Sequence, residues 1–259
     1  MNSKVFVLTA ALAGFALAQD GIRIPFSDPS RPGRVGVHTL NGKITVKAGP
    51  QGVVTVETKE MIHRKERSDG LHRIPMQRGL QAEESENTVT ITAGPPEGDS
   101  DIFVTVPAQV ASLKANSISG DIVIEGVGGD IEVDATNGKA VLTNVSGSVV
   151  AHSLNGGVVA NLVRVAPDKV MSFSSLNGDI NVTLPPDIRA RLKMKTDNGE
   201  LYTDFDVQLE HTGPTVTEET HGGRHRIRQD RTTYGTINGG GPEMQFTSYN
   251  GNIYIRKAK

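Results

Sequence analysis

From Gly120 onward glycine returns every nine residues, at Gly120, Gly129, Gly138, Gly147 and Gly156. Nine residues hold one short strand and one tight turn, which rules out helix for this stretch. The surrounding pattern is Asn, Ser or Gly, then Gly, a variable residue, an apolar one, a variable one and another apolar one. Ser119-Gly120-Asp121-Ile122-Val123-Ile124 and Asn137-Gly138-Lys139-Ala140-Val141-Leu142 are examples. Apolar residues alternating with period two turn one face of each strand into a core. The small residues at the turns suit a backbone with positive φ. The motif continues at Asn155-Gly156, Asn177-Gly178-Asp179-Ile180, Asn198-Gly199-Glu200-Leu201 and Asn250-Gly251-Asn252-Ile253, with an early copy at Asn41-Gly42-Lys43-Ile44.

Two all-β arrangements fit such units: a parallel β-solenoid with about two short strands per coil, or an antiparallel meander or sandwich with Asn-Gly hairpins. The columns favour the solenoid. Pairing alternate units gives coils of 18 residues that lengthen to 22 (156 to 178) and 21 (178 to 199), while like residues still align. One column reads Ile122, Ala140, Val158, Ile180, Leu201 and its neighbour Ile124, Leu142, Ala160, Val182, Thr203. The opposite strand gives Ile131, Val149, Met171, Leu192 and Val133, Ala151, Phe173, Met194. Ser117, Ala135, Ser153, Ser175 and Thr196 form a small column before the corner. At the corner, Ser119, Asn137, Asn155, Asn177 and Asn198 precede Gly120, Gly138, Gly156, Gly178 and Gly199. In a parallel stack the asparagines lie about 4.8 Å apart and form a hydrogen-bonded ladder. These ladder and glycine positions are the structural residues the sequence singles out.

The flanks are less regular. Val53-Val54-Thr55-Val56, Thr88-Val89-Thr90-Ile91-Thr92 and Ile102-Phe103-Val104-Thr105-Val106-Pro107 read as strands, and charged, turn-rich residues near 59–87 and 210–233 read as surface excursions. At the start, Lys4, the apolar run Val5 to Ala18 and a small-x-small site at Ala16-Leu17-Ala18 predict a signal peptide over 1–18, cleaved before Gln19. Residues 19–259 then form a single domain, with no later segment long and apolar enough to span a membrane as a helix.

These residues carry a family likeness. The chain resembles the bacterial putative adhesin family, exported β-solenoid domains of unknown function, through Val104-Thr105-Val106-Pro107, the Ser/Asn-Gly-Asp-Ile units beginning at Ser117, and two closing runs, Ile237-Asn238-Gly239-Gly240-Gly241-Pro242 and Thr247-Ser248-Tyr249-Asn250-Gly251-Asn252-Ile253. The resemblance implies a parallel β-solenoid outside the cytoplasm with a surface or envelope role, and brings no catalytic residues.

Composition narrows the function. With 27 Lys+Arg against 29 Asp+Glu, no global field attracts nucleic acid. Cysteine is absent, which excludes disulfides and thiolate metal sites. His221 and His225 flank two glycines and read as a solvated loop, and Asp121, Asp130 and Asp179 read as turn residues, so no metal site and no cofactor is expected. Arg189, Arg191, Lys193 and Lys195 make an outward basic row without paired carboxylates, and no catalytic motif appears. The expectation is a non-enzymatic scaffold, periplasmic, surface-bound or secreted, that binds a protein or glycan. The alternatives are a polysaccharide-active enzyme on the same coil and a self-assembling structural element.

Overall fold

The structure, a computed structural model, describes residues 21–60, 80–93, 100–210, 215–221, 224–230 and 232–259. The expected signal peptide lies outside these residues, as does most of the first excursion.

All regular structure among the described residues is β. The strands are β1 (Ile22–Pro25), β2 (Arg34–Asn41), β3 (Ile44–Gly49), β4 (Val53–Glu60), β5 (Leu80–Ser85), β6 (Thr88–Ala93), β7 (Ser100–Pro107) and β8 (Gln109–Ser119). There follow β9 (Ile122–Glu125), β10 (Gly128–Asn137), β11 (Ala140–Ser153), β12 (Val158–Val165), β13 (Met171–Asn177), β14 (Ile180–Leu184), β15 (Ala190–Asn198) and β16 (Leu201–Thr203). Last come β17 (Val207–Glu210), β18 (Thr215–His221), β19 (Arg224–Asp230), β20 (Thr233–Ile237), β21 (Glu243–Asn250) and β22 (Ile253–Lys257). Twenty of them join one mixed sheet, and β18 with β19 forms a separate hairpin.

Two strands and the corner between them make one lap of the backbone, and adjacent laps pair in parallel. Strand β11 serves two laps, bending at Asn144 (φ 54) and Gly147 (φ 107) where its register with β12 shifts. Parallel pairing puts identical positions over each other. The column Ile102, Ile44, Ile122, Ala140, Val158, Ile180, Ile253, Leu201 follows from consecutive registers. The opposite strands supply Ile91, Val37, Ala115, Val133, Ala151, Phe173, Phe246, Met194. Nearly all of these side chains are buried, and they form the core between the two strand faces of the stack.

Spatial order departs from chain order at both ends. The lap β2–β3 lies between β6–β7 and β8–β9, and the lap β21–β22 lies between β13–β14 and β15–β16. Ile180 therefore rests on Ile253, not on Leu201, and Phe173 on Phe246, not on Met194, which corrects the sequence alignment at those positions. The closing unit carries the full side-chain pattern of a lap, so it fits between two laps that are separated from it by the hairpin segment.

A wholly parallel coil is also corrected at the two ends, where antiparallel strands take over. There β4 pairs with β7 and β1 with β4, β5 pairs with β6, and β20 pairs with both β15 and β17. Part of the first expected excursion is thus the capping strand β5, and much of the second is the β18–β19 hairpin. An antiparallel partner satisfies the backbone groups that the outermost parallel strand leaves open.

Candidate functional site

The corner after each first strand is built from four side-by-side columns. Asn155 Nδ2 donates to Asn137 Oδ1 (2.8 Å) and Asn177 Nδ2 to Asn155 Oδ1 (2.9 Å). Asn250 Nδ2 then donates to Asn177 Oδ1 (2.8 Å) and Asn198 Nδ2 to Asn250 Oδ1 (2.9 Å). The sequence-derived ladder residues are thus brought together in one continuous chain, with Asn250 between Asn177 and Asn198.

The glycines stack beside them for a reason other than the expected one. Gly120 alone among Gly120, Gly138, Gly156, Gly178 and Gly199 has a φ in the left-handed region, at +146°. What the others share is close approach. A Cβ on Gly138 would lie 2.2 Å from Gly120 O, on Gly156 2.2 Å from Gly138 O, on Gly178 2.3 Å from Gly156 O, and on Gly199 2.1 Å from Gly251 O. Three of these four carbonyls also receive a hydroxyl from the small column: Ser153 Oγ donates to Gly138 O (2.8 Å), Ser175 Oγ to Gly156 O (2.7 Å) and Thr196 Oγ1 to Gly251 O (2.9 Å).

A fourth column, missed in the sequence, uses the residue after the glycine. Asp121 Oδ1 accepts from the Lys139 amide (2.8 Å), Asp179 Oδ1 from the Asn252 amide (2.8 Å) and Asn252 Oδ1 from the Glu200 amide (2.9 Å). These acids are inter-lap acceptors, more than turn formers. Asp130 differs: Lys169 Nζ reaches its Oδ1 at 2.6 Å and Ser148 Oγ its Oδ1 at 2.8 Å. The Lys169 hydrogen bond, helped by Ser148 and by the lysine charge and opposed by burial, holds its carboxyl below the usual range.

The corner is scaffold; chemistry has to come from the outward side chains. On the first-strand face these form two neighbouring columns. The polar one runs Thr92, His38, Asn116, Asp134, His152, Ser174, Thr247, Lys195. The other holds the residues just before the corner, Leu40, Ile118, Thr136, Leu154, Leu176 and Tyr249, of which Ile118 and Tyr249 are each 49% exposed. Where the two columns pass β2, β8 and β10 they enclose a cleft of about 290 Å³ lined by His38, Leu40, Asn116, Ile118, Asp134 and Thr136, with Thr92 and Ala93 at its end.

Further along the polar column His152 Nδ1 lies 2.8 Å from Ser174 Oγ, with Asp134 in register on the other side. These are the residue types of a nucleophile triad. However, Ser174 sits mid-strand with β11 on one edge and β21 on the other, so ladder bonding occupies the surrounding amides and no pair is left to stabilise an oxyanion. Among the described residues no group of three His, Asp or Glu converges on a metal position. His221 and His225 belong to the β18–β19 hairpin rather than a loop, with His221 opposite Arg224 and His225 opposite Thr220; their side chains lie outside what is described. Arg191 is exposed, while Lys193 and Lys195 are half-buried on the outward side of β15. Arg189 joins Arg164 in lining a second cleft of about 530 Å³.

No curated protein matches the chain. Among solved structures, the chain is similar to a putative cell adhesion protein from Clostridium sporogenes ATCC 15579, with 10% identity, a TM-score of 0.47, and coverage of 90% of this chain and 97% of that one. The profile described as Toastrack DUF4097 matches residues 23–255, which takes in every lap of the stack and both antiparallel ends. The chain belongs to the Toastrack DUF4097 family.

Proposed function

We propose that this protein is an exported, non-enzymatic β-solenoid of the cell envelope or cell surface, an adhesin-like scaffold whose outward columns bind another macromolecule. One observation carries the reading: side chains repeat in register from lap to lap, which yields long, regular, fixed surfaces of the kind that extended ligands engage. The apolar run Val5 to Ala18 with its small-x-small site supports export. The outward face brings polar groups side by side without the nucleophile-and-oxyanion geometry of a hydrolase.

Two measurements test this. In cells producing the full chain, the exported form should begin at Gln19 by N-terminal sequencing, and a chain retained uncleaved in the cytoplasm overturns the address. The purified protein should be retained by isolated envelopes in a saturable manner, and the absence of saturable retention overturns the scaffold role.

A further inference from the structure

The cleft over β2, β8 and β10 carries a binding chemistry of its own. His38, Asn116 and Asp134 occupy matching outward positions on three adjacent strands. Asn116 Oδ1 is shut off from solvent and has no hydrogen-bond partner. An acceptor left empty and closed to solvent costs free energy in the folded protein, and a ligand donor reaches it once the Asn116 side chain turns outward. A Cβ on Gly36 would sit 3.3 Å from His38 Nε2, so the imidazole reaches along its strand toward that glycine.

We infer that this cleft binds neutral pyranose rings of a polysaccharide, which rests on the scaffold reading above and names the ligand class of its outward face. Three features select the class. The lining holds no Lys or Arg and includes the Asp134 carboxylate, so phosphate, sulfate and uronate groups meet repulsion without a counter-charge. His38, Asn116 and Asp134 offer acceptors and one amide donor in a row, which suits ring hydroxyls that both donate and accept. Beside them, one outward position nearer the corner, Leu40 and Ile118, 43% and 49% exposed, offer an apolar surface for the C–H face of a ring. At about 290 Å³ the cleft is at the small end of ligand sites and takes one or two rings.

A polymer has somewhere to continue. The polar column proceeds through His152, Ser174 and Thr247 and the apolar column through Leu154, Leu176 and Tyr249, at about 4.8 Å per lap. A chain of rings lying along the stack axis meets the same two-sided environment lap after lap, with the unpaired Asn116 at its anchored end.

The test is an NMR titration of the purified protein with cellohexaose, maltohexaose, laminarihexaose and chitohexaose, with polygalacturonate and Zn²⁺ as separate arms. At least one neutral hexamer should shift the Asn116 side-chain amide and the His38 ring saturably, and bind more tightly than its monosaccharide. His38→Ala and Asp134→Asn should each weaken that binding at least tenfold, while Val159→Thr, on the outward face of β12, should leave it unchanged; circular dichroism confirms that each variant is folded. The inference is overturned if none of the four hexamers binds, if both cleft variants bind like the native protein, or if only polygalacturonate or Zn²⁺ perturbs His38. Envelope retention separates this from the broader reading. Envelope retention with hexamer binding unweakened in both cleft variants overturns the cleft and leaves the scaffold role standing, and hexamer binding at the cleft without any envelope retention supports the cleft and overturns the scaffold role.

Discussion

Phe246 stacks on Phe173 with ring centroids 5.3 Å apart and planes inclined by 17°. The contact fastens the last lap of the chain onto one laid down far earlier, and both rings are fully buried. Replacing Phe246 by Ala removes a ring from the middle of the core column and leaves a cavity between Phe173 and Met194, at a cost of about 3–5 kcal/mol. Denaturant titration should show it as a lowered midpoint; a midpoint within error of the native protein would mean that the inserted lap contributes little.

Two glycine substitutions separate close approach from backbone conformation. At Gly156 the added Cβ meets Gly138 O at 2.2 Å with no positive φ involved, and because the obstacle is backbone the laps must part. Gly156→Ala should cost about 3 kcal/mol. At Gly126, φ is +73° and the nearest atom is Ala48 Cβ at 3.4 Å, so Gly126→Ala should cost only the left-handed penalty of about 1–2 kcal/mol. Thermal melts of the pair should rank Gly156→Ala as the more severe; the reverse order would return the glycine column to a conformational explanation.

Ala135 is the one member of the small column without a hydroxyl between Ser117 and Ser153. By analogy with Ser153 on Gly138 O, a serine there reaches Gly120 O. Ala135→Ser should raise stability by about 0.5–1 kcal/mol and Ser153→Ala lower it by about 1 kcal/mol. Chemical denaturation of both variants checks the pair, and a destabilised Ala135→Ser would show that the position is too tight for the extra oxygen.

Because Asn116 Oδ1 is buried without a partner, Asn116→Leu should stabilise the ligand-free protein by about 1 kcal/mol. A calorimetric melt that rises would mark Asn116 as retained at a cost to the fold. A melt that falls would show that the amide is structurally satisfied.

Acid should find the Asp130–Lys169 pair. The folded carboxyl is held below its unfolded value of about 3.9, so its contribution is complete above that pH and disappears as pH falls through the lower folded value. Lys169→Met should therefore flatten the stability-against-pH curve below about pH 4 and change its shape little at neutral pH. An unchanged acid limb would rule out the pair as a contributor.

What the sequence made legible was whatever repeats. The nine-residue glycine spacing, the apolar alternation and the asparagines each correspond to a column, because stacking places equal residues over equal residues. Order within the stack was not legible: Asn250-Gly251-Asn252-Ile253 has the same motif as Asn198-Gly199-Glu200-Leu201, so membership can be read while position cannot. The glycine column was found for a mistaken reason, since spacing reports that a side chain is forbidden and not whether φ or a neighbouring carbonyl forbids it. His38, Asn116 and Asp134 stand 18 to 96 residues apart in three unlike contexts, and only the register of β2, β8 and β10 unites them.

Insertion of β21–β22 between β13–β14 and β15–β16 sets a problem of timing for a chain made from its N-terminus. Leu192, Met194 and Asn198 emerge before Met244, Phe246 and Asn250, and they present the same sequence of shapes to the waiting surface of β13. The earlier segment is a built-in decoy for the later one's berth. Maturation then depends on a slot being held open, or on an early occupant being evicted, and renaturation should show a slow phase that a chain lacking residues 190–203 does not have.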